Sequence, residues 1–344
     1  MADFSWPEVI GQLMKGESLS REDAGAAMGE IMEGRTSEAQ MAAFIVSLRA
    51  KGETAEEMTG LVDAMFAAAV TIDVGEPVVD VVGTGGDGAG TFNISTTAAL
   101  IAAGAGAKVA KHGNRAASST TGSADLLAGL GFDLELAPES TRQMIRETGF
   151  GFLFAPRYHP AMRFVAPVRK DLGVRTVFNF LGPLCNPARA DRMSVGTSDP
   201  NMAALMIEVL KNLGATTAFV YYGEDGLDEL TTTAPSYIYR LRDGEITHAE
   251  FTPEDFGVAR ARTEDLLGGD VEENIAITRN ILEGSPGPKR DVALVNAAPA
   301  IVAAGLADGF TDAMALAAHA VDSGGAAATL ERSLAMCQEL AAGA

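Results

Sequence analysis

Along the first 70 residues the apolar positions recur at helical spacing. Met28, Ile31 and Met32 form one stripe, and Met41, Phe44, Ile45 and Leu48 a second. Met58, Leu61, Val62, Met65 and Phe66 form a third, in the i, i+3, i+4, i+7, i+8 order of an amphipathic helix. Ser37 with Gln40 and Thr54 with Glu57 have the spacing of capping boxes, while Gly34 and Gly52 fall where helices would end. The pattern predicts four short-looped helices forming a small N-terminal domain over residues 1–72. From residue 78 the pattern changes. Short β-branched runs at 78–82, 108–111, 193–196, 218–222 and 236–241 alternate with helical stretches. That alternation predicts a large α/β domain over 75–340, built on a mainly parallel central sheet flanked by helices.

Composition adds limits. A chain of 344 residues that is 47% hydrophobic can bury a large core. No run of about 18 apolar residues escapes interruption by charge or glycine, so no membrane span is expected. The acidic start MADFSWPEVI lacks the basic, then apolar, order of a signal peptide. Cys185 and Cys337 fit no metal or redox spacing, and two reduced thiols in a cytoplasmic protein are the expectation.

Net charge is −20, with 46 acids against 26 bases, which repels nucleic acid and anionic membranes and leaves neither expected as a partner. Against that field two basic clusters stand out: Lys108, Lys111, His112 and Arg115, then Arg157, Arg163, Arg169, Lys170 and Arg175. Each is a candidate anion site. A solvated face balancing nearby acids is the plainer alternative for the second.

The candidate chemistry concentrates in residues 83–123. GTGGDGAGTFNIST, residues 83–96, follows a predicted strand and leads into an alanine-rich helix at 97–105. Glycine-rich turns of this kind let backbone N–H groups approach an anion, and the helix N-terminus adds its dipole. About 20 residues on, KHGNRAASSTTGSAD, residues 111–125, joins cations to consecutive hydroxyls. Two such turns in successive strand–helix units point to one substrate with two separate phosphates, and 5-phosphoribosyl 1-diphosphate fits. Residues 83–88 also satisfy G-x-G-x-x-G, the dinucleotide fingerprint. That reading fails on context: the helix opens only near Ser95, and the second strand ends in Lys111-His112 rather than an acid.

These two segments, with HPAMRFVAPVRKDLGVRTVFNFLGPLCNPA at 159–188 and GEDGLDEL at 223–230, closely resemble the anthranilate phosphoribosyltransferase family over nearly the whole chain. The resemblance implies a nucleoside phosphorylase/phosphoribosyltransferase-like fold, a helical segment near 165–185 that joins the small domain, and a homodimer formed through the helical domain. It implies transfer of phosphoribosyl from 5-phosphoribosyl 1-diphosphate to the amine of anthranilate, a step of tryptophan biosynthesis. By the same resemblance, Gly83, Gly86, Asp87, Thr91, Asn93, Ile94, Ser95 and Thr96 contact the diphosphate substrate. So do Lys111, His112, Gly113, Asn114, Arg115, Ala116, Ala117, Ser118, Ser119 and Ser123. Anthranilate falls to Gly83, Asn114, His112, Pro156 and Arg169, and Mg²⁺ to Ser95, Asp228 and Glu229.

The residue types agree with those roles. A guanidinium at Arg169 matches a carboxylate as a planar fork, against the alternative of a salt bridge to Asp171. Asp228 and Glu229 are hard oxygen ligands of the kind magnesium takes, and an isolated pair would otherwise read as surface acids. Asn93 and Ser95 can act as helix caps while free N–H groups bind the anion. His112 reads either as a base or as a pocket wall beside an aromatic ring. Met162 stands where some relatives place an aromatic residue. No obligate acid or base is expected, the rate coming from alignment and from charge stabilisation by Lys111, Arg115 and Mg²⁺. Two further readings stay on the table: a pyrimidine nucleoside phosphorylase, whose loops read differently, and a nucleic-acid-binding relative, which the net charge opposes.

Overall fold

The computed structural model describes residues 4–116 and 121–343. The chain opens with helices α1 (Trp6–Met14), α2 (Arg21–Met32), α3 (Glu38–Lys51) and α4 (Ala55–Ala67). Both expected capping boxes form, Ser37 with Gln40 and Thr54 with Glu57. Glu57 also accepts from the Leu19 N–H and pairs with Lys51 at 2.9 Å in a buried position, which ties α4 to the loop before α2.

The remaining chain winds through β1 (Val79–Gly83), α5 (Ile94–Gly104), β2 (Val109–Gly113), α6 (Ser123–Leu130), α7 (Pro138–Thr148) and β3 (Phe150–Phe154). It then makes a helical excursion, α8 (Ala155–Tyr158), α9 (Ala166–Leu172) and α10 (Phe178–Leu181). It re-enters the sheet as β4 (Arg192–Gly196), α11 (Pro200–Asn212), β5 (Thr217–Gly223), β6 (Ser236–Arg242) and β7 (Glu245–Phe251). Four helices close it: α12 (Val271–Leu282), α13 (Pro288–Ala303), α14 (Phe310–Asp322) and α15 (Gly325–Ala342).

Among the described residues the sheet has seven strands in the order β3-β2-β1-β4-β5-β6-β7. Strands β1 to β5 run parallel, and β6 and β7 are antiparallel. The α/β class with a mainly parallel sheet is the one expected. Two strands were not. β3 is buried along its whole length, so it has no alternation to read. β7 is an exposed polar edge, announced only by Asp243-Gly244, both at positive φ as a tight hairpin requires.

One core lies between the sheet and α5, α13 and α15. A second joins the N-terminal helices to α11 and the opposite faces of β4 and β5, through Met193, Val195, Met206 and Val220. The strand order reverses between β1 and β4, whose neighbouring ends are Gly83 and Gly196. In an open α/β sheet the crevice beyond the carboxyl ends at such a switch point is where ligands bind.

Candidate functional site

The glycine-rich loop leaves β1 at this crevice. Gly83 has no room for a side chain, because a Cβ there would meet the Asp228 carboxylate. Gly85 sits at φ 69°, and its N–H donates to Asp228 Oδ2 at 2.5 Å. Its carbonyl accepts from Arg175 Nη2 at 3.3 Å, while Arg175 Nη1 donates to Ser198. The end of the loop is strapped down by residues 266–268: Phe92 N–H bonds Leu266 O, Gly268 N–H bonds Gly90 O, and Thr91 bridges Leu267.

Helix α5 opens at Ile94, beside the predicted start at Ser95. Asn93 occupies the cap position without capping by its side chain. Its amide donates instead to Thr121 O at 3.0 Å and accepts from Asn274 at 3.2 Å, so it links the two phosphate-type turns. The cap is supplied from afar, by Glu229 Oε1 accepting from the Ser95 N–H at 3.1 Å. Ile94 and Thr96 are buried, and the Ile94 N–H is already given to Phe92 O at 2.7 Å.

Lys111 on β2 is only 1% exposed. Its ammonium donates to Val81 O and lies 3.5 Å from Ser95 Oγ. Burial lowers its pKa, against the opposing pull of Asp80, Glu229 and Asp228. The cation thus acts beneath the loop, on the acids, rather than out in solvent. Arg115 is exposed, pairs with Asp125 at 2.8 Å and lies 5.9 Å over the Phe154 ring.

Asp125 accepts from the N–H groups of Ala116 and Gly122, both at 3.0 Å. Burial alone would raise its pKa, yet these donors and Arg115 hold it below the ordinary value. That carboxylate ties Ala116 to Gly122. Ser123 Oγ donates to Asn114 O at 3.2 Å and fills the space where Gly113 lacks a side chain. Ala117, Ser118 and Ser119 lie outside the described residues.

His112 points away from Lys111, toward the helical excursion. Its ring is 5.2 Å from that of His159, whose Nε2 meets Cys185 O at 2.9 Å. Burial, reinforced by His159, pushes the His112 pKa down to about 3, and its Nε2 is buried without a partner. A ring so reluctant to take a proton fits a neutral pocket wall better than a base. Behind it, Asp80 accepts from the His112 N–H at 3.0 Å and from Asn186 at 2.7 Å.

Arg169 is half-buried on α9, 5.9 Å from the Phe178 ring. Burial lowers its pKa, and among the described residues its guanidinium has neither ion pair nor hydrogen bond, so the expected competitor Asp171 does not engage it. A half-buried cation left open in this way can receive an anion. Pro156 is exposed on α8, and Met162 is half-buried against the helical core.

Asp228 and Glu229 are 8% and 7% exposed. Burial, then the charge of Asp87, raises the Asp228 pKa to about 7. Burial and the Asp228 charge push that of Glu229 well above the ordinary carboxyl range, with Lys111 pulling the other way. Glu229 Oε2 is buried without a partner. Hard oxygens, excess negative charge and an orphaned carboxylate oxygen fit a divalent cation. Among the described residues no three Asp, Glu, His or Cys side chains form a cage, so waters and substrate phosphates would complete the shell, as magnesium prefers.

Two family models divide the chain between them: a glycosyl transferase helical bundle domain over residues 7–69 and a glycosyl transferase a/b domain over 75–327. An anthranilate phosphoribosyltransferase of Rhodopseudomonas palustris (strain BisA53) is 48% identical across 336 residues, 98% of each chain. The chain belongs to the anthranilate phosphoribosyltransferase family. The Thermus thermophilus family member superposes with a TM-score of 0.91 at 45% identity, over 96% of this chain and 99% of that one. The Saccharomyces cerevisiae member, solved in complex with phosphoribosyl diphosphate and Mg, gives 0.89 at 26% identity, over 98% and 99%. Among the described residues no helix is long and apolar enough to cross a membrane.

Within this family fold, sequence reasoning missed the residues that position others. Asp125 closes its own turn from within ten residues, while Asn274 and Asn186 are ordinary polar letters whose partners come from distant segments, up to 181 residues away. Arg175 stands out in the sequence only as one member of the second basic cluster, with nothing to show that it braces the glycine loop. A surface groove of about 720 Å³ beside Lys108, Arg142 and Arg146 lies at the opposite, amino ends of the strands, apart from all of this chemistry.

Proposed function

We propose that this chain transfers the phosphoribosyl group of 5-phosphoribosyl 1-diphosphate to the amine of anthranilate, as its family does, releasing pyrophosphate. The observation that carries the reading is the return of Asp228-Glu229 onto the β1–α5 loop, where Glu229 caps α5 and Asp228 holds the Gly85 N–H. The pyrophosphate would lie over the backbone N–H groups of 83–96, in reach of Ser95. The 5-phosphate would lie in the 111–123 turn, with Asn114, Arg115, Ala116 and Ser123 around it. Asp228, Glu229 and Ser95 would hold magnesium, which would supply positive charge to the departing pyrophosphate. Lys111, buried nearby, favours the ionised form of Glu229 and so would help to keep it able to bind a cation.

Arg169 would fork the anthranilate carboxylate, with neutral His112, Asn114, Gly83 and Pro156 bounding the ring. The bond from the anomeric carbon to pyrophosphate breaks, the amine nitrogen bonds to that carbon, and the amine gives up one proton. Alignment of the two substrates alone can account for ~7–11 kcal/mol of the barrier. The test is direct: anthranilate fluorescence should fall only when protein, phosphoribosyl diphosphate and Mg²⁺ are all present. Unchanged fluorescence with folded protein would overturn the reading.

The same reading makes the chain a cytoplasmic homodimer of two-domain subunits, divided at 1–72 and 75–340. Pairing would run through the helical domain, by a two-fold contact between like surfaces. Light scattering should give twice the 35.7 kDa chain mass, and a fully active monomer would refute it.

A further inference from the structure

Helix α13 is buried along nearly its whole length, apolar almost throughout, and carries one amide in that stretch, Asn296, at 0% exposure. An amide in such a setting is costly unless all its groups are bonded. Asn296 Nδ2 donates to Leu230 O and Val292 O at 2.8 and 2.9 Å, and its Oδ1 accepts from the Leu230 N–H at 2.8 Å. Both backbone groups of the residue directly after Glu229 are therefore held by one side chain, 66 positions away. The turn has no strand ladder to fix it at this point, since β5 ends at Gly223 and β6 begins at Ser236.

We infer that Asn296 is a positioning residue that sets the Asp228-Glu229 carboxylates for cation binding. The inference rests on the metal reading of that pair. Leu230 cannot shift without breaking two bonds to a helix packed in the core, so Glu229 keeps one oxygen on the Ser95 N–H and the other free. Without the clamp the pair would move with the turn, and the site would lose its cation before it lost its fold.

The test is Mn²⁺ alone titrated against the full chain, free Mn²⁺ being read by electron paramagnetic resonance. Two variants are compared, Asn296→Ala and Asn296→Ser. Serine can still bond the Val292 carbonyl within the helix but cannot reach Leu230, so it removes the clamp with the least disturbance. Both variants should bind Mn²⁺ at least fivefold more weakly than wild type, and the Mg²⁺ needed for half-maximal activity should rise while KM for anthranilate stays put. Folded Asn296→Ser protein with wild-type Mn²⁺ affinity would overturn the inference alone, provided Asp228→Asn/Glu229→Gln weakens binding. If that double variant also binds like wild type, the metal reading falls and the inference with it.

Discussion

The two halves of the crevice are built on opposite plans. On the donor side the glycine-loop backbone and the Asn93 amide already have partners inside the protein: Gly85 with Asp228 and Arg175, Ser95 with Glu229, Asn93 with Thr121 and Asn274. The open atoms there, among the described residues, are oxygens: Glu229 Oε2 and the hydroxyls of Thr84 and Thr96. On the acceptor side Arg169 and His112 Nε2 are withdrawn from water and left without hydrogen bonds among the described residues. A highly charged, flexible phosphoribosyl diphosphate needs donors fixed in advance, because each donor that must be ordered on binding subtracts from affinity. A small rigid aromatic acid needs little more than one cation and apolar walls, and an unpaired, half-buried guanidinium is already poised for it. The contrast predicts which measurements each half will move.

The largest effect belongs to the donor side. Asp228→Asn with Glu229→Gln keeps shape and removes both charges, and kcat should fall ~100-fold or more with the fold unchanged, because the lost interaction grows as charge develops on the leaving group. Near-normal kcat at ordinary Mg²⁺ would return the pair to the status of structural acids. Next comes Arg169→Ala. Losing one partner of a desolvated charge pair costs ~2–5 kcal/mol, so KM for anthranilate should rise well over tenfold while KM for phosphoribosyl diphosphate barely changes. Steady-state kinetics in both substrates decides it, and an unmoved anthranilate KM would shift the carboxylate site to Arg175. For Arg175 itself the opposite split is expected. It braces the Gly85 carbonyl, so Arg175→Ala should raise the phosphoribosyl diphosphate KM several-fold, in line with a lost exposed bond worth ~0.5–1.5 kcal/mol.

The smallest effect is on stability and tests the neutral His112. Its native pKa of about 3 lies below the ordinary value, so below pH 6.5 the unfolded chain takes up a proton that the native state refuses. Stability from this group is therefore lost as pH falls. Asp80, raised to about 6 by burial, works the other way across the same range, gaining stability as it protonates. The clean observable is therefore the difference between variant and wild type. Relative to wild type, His112→Asn should gain up to ~2 kcal/mol between pH 7 and pH 5 in urea unfolding. A gap independent of pH would mean that His112 titrates normally in the folded protein.

The same division explains how much could be read beforehand. The glycine loop and the basic turn are each one continuous run whose letters suggest anion binding, whereas Asp228-Glu229 stands out only through the family resemblance. The capping boxes of α3 and α4 were legible for the same reason. What was hidden is non-local. Lys111 looks like a phosphate cation until its neighbours, Val81 O and the two acids, are seen to bury it. Asn93 looks like a helix cap until Glu229 is found in that role. β3 gives no alternation because both its faces are covered, and β7 gives none because it is an exposed polar edge. Chain topology, which brings β4 back beside β1 after a helical excursion, makes the site. No window of residues reports it.

The central claim is that the β1–β4 crevice holds phosphoribosyl diphosphate through a cation on Asp228 and Glu229. Calorimetric titration of phosphoribosyl diphosphate into the protein without anthranilate, with and without Mg²⁺, tests it most directly. Binding should strengthen markedly with Mg²⁺ in the wild type and in Arg169→Ala, and lose that dependence in Asp228→Asn/Glu229→Gln. Equal affinity with and without Mg²⁺ in the wild type, or an unchanged Mg²⁺ effect in the double variant, would contradict the account.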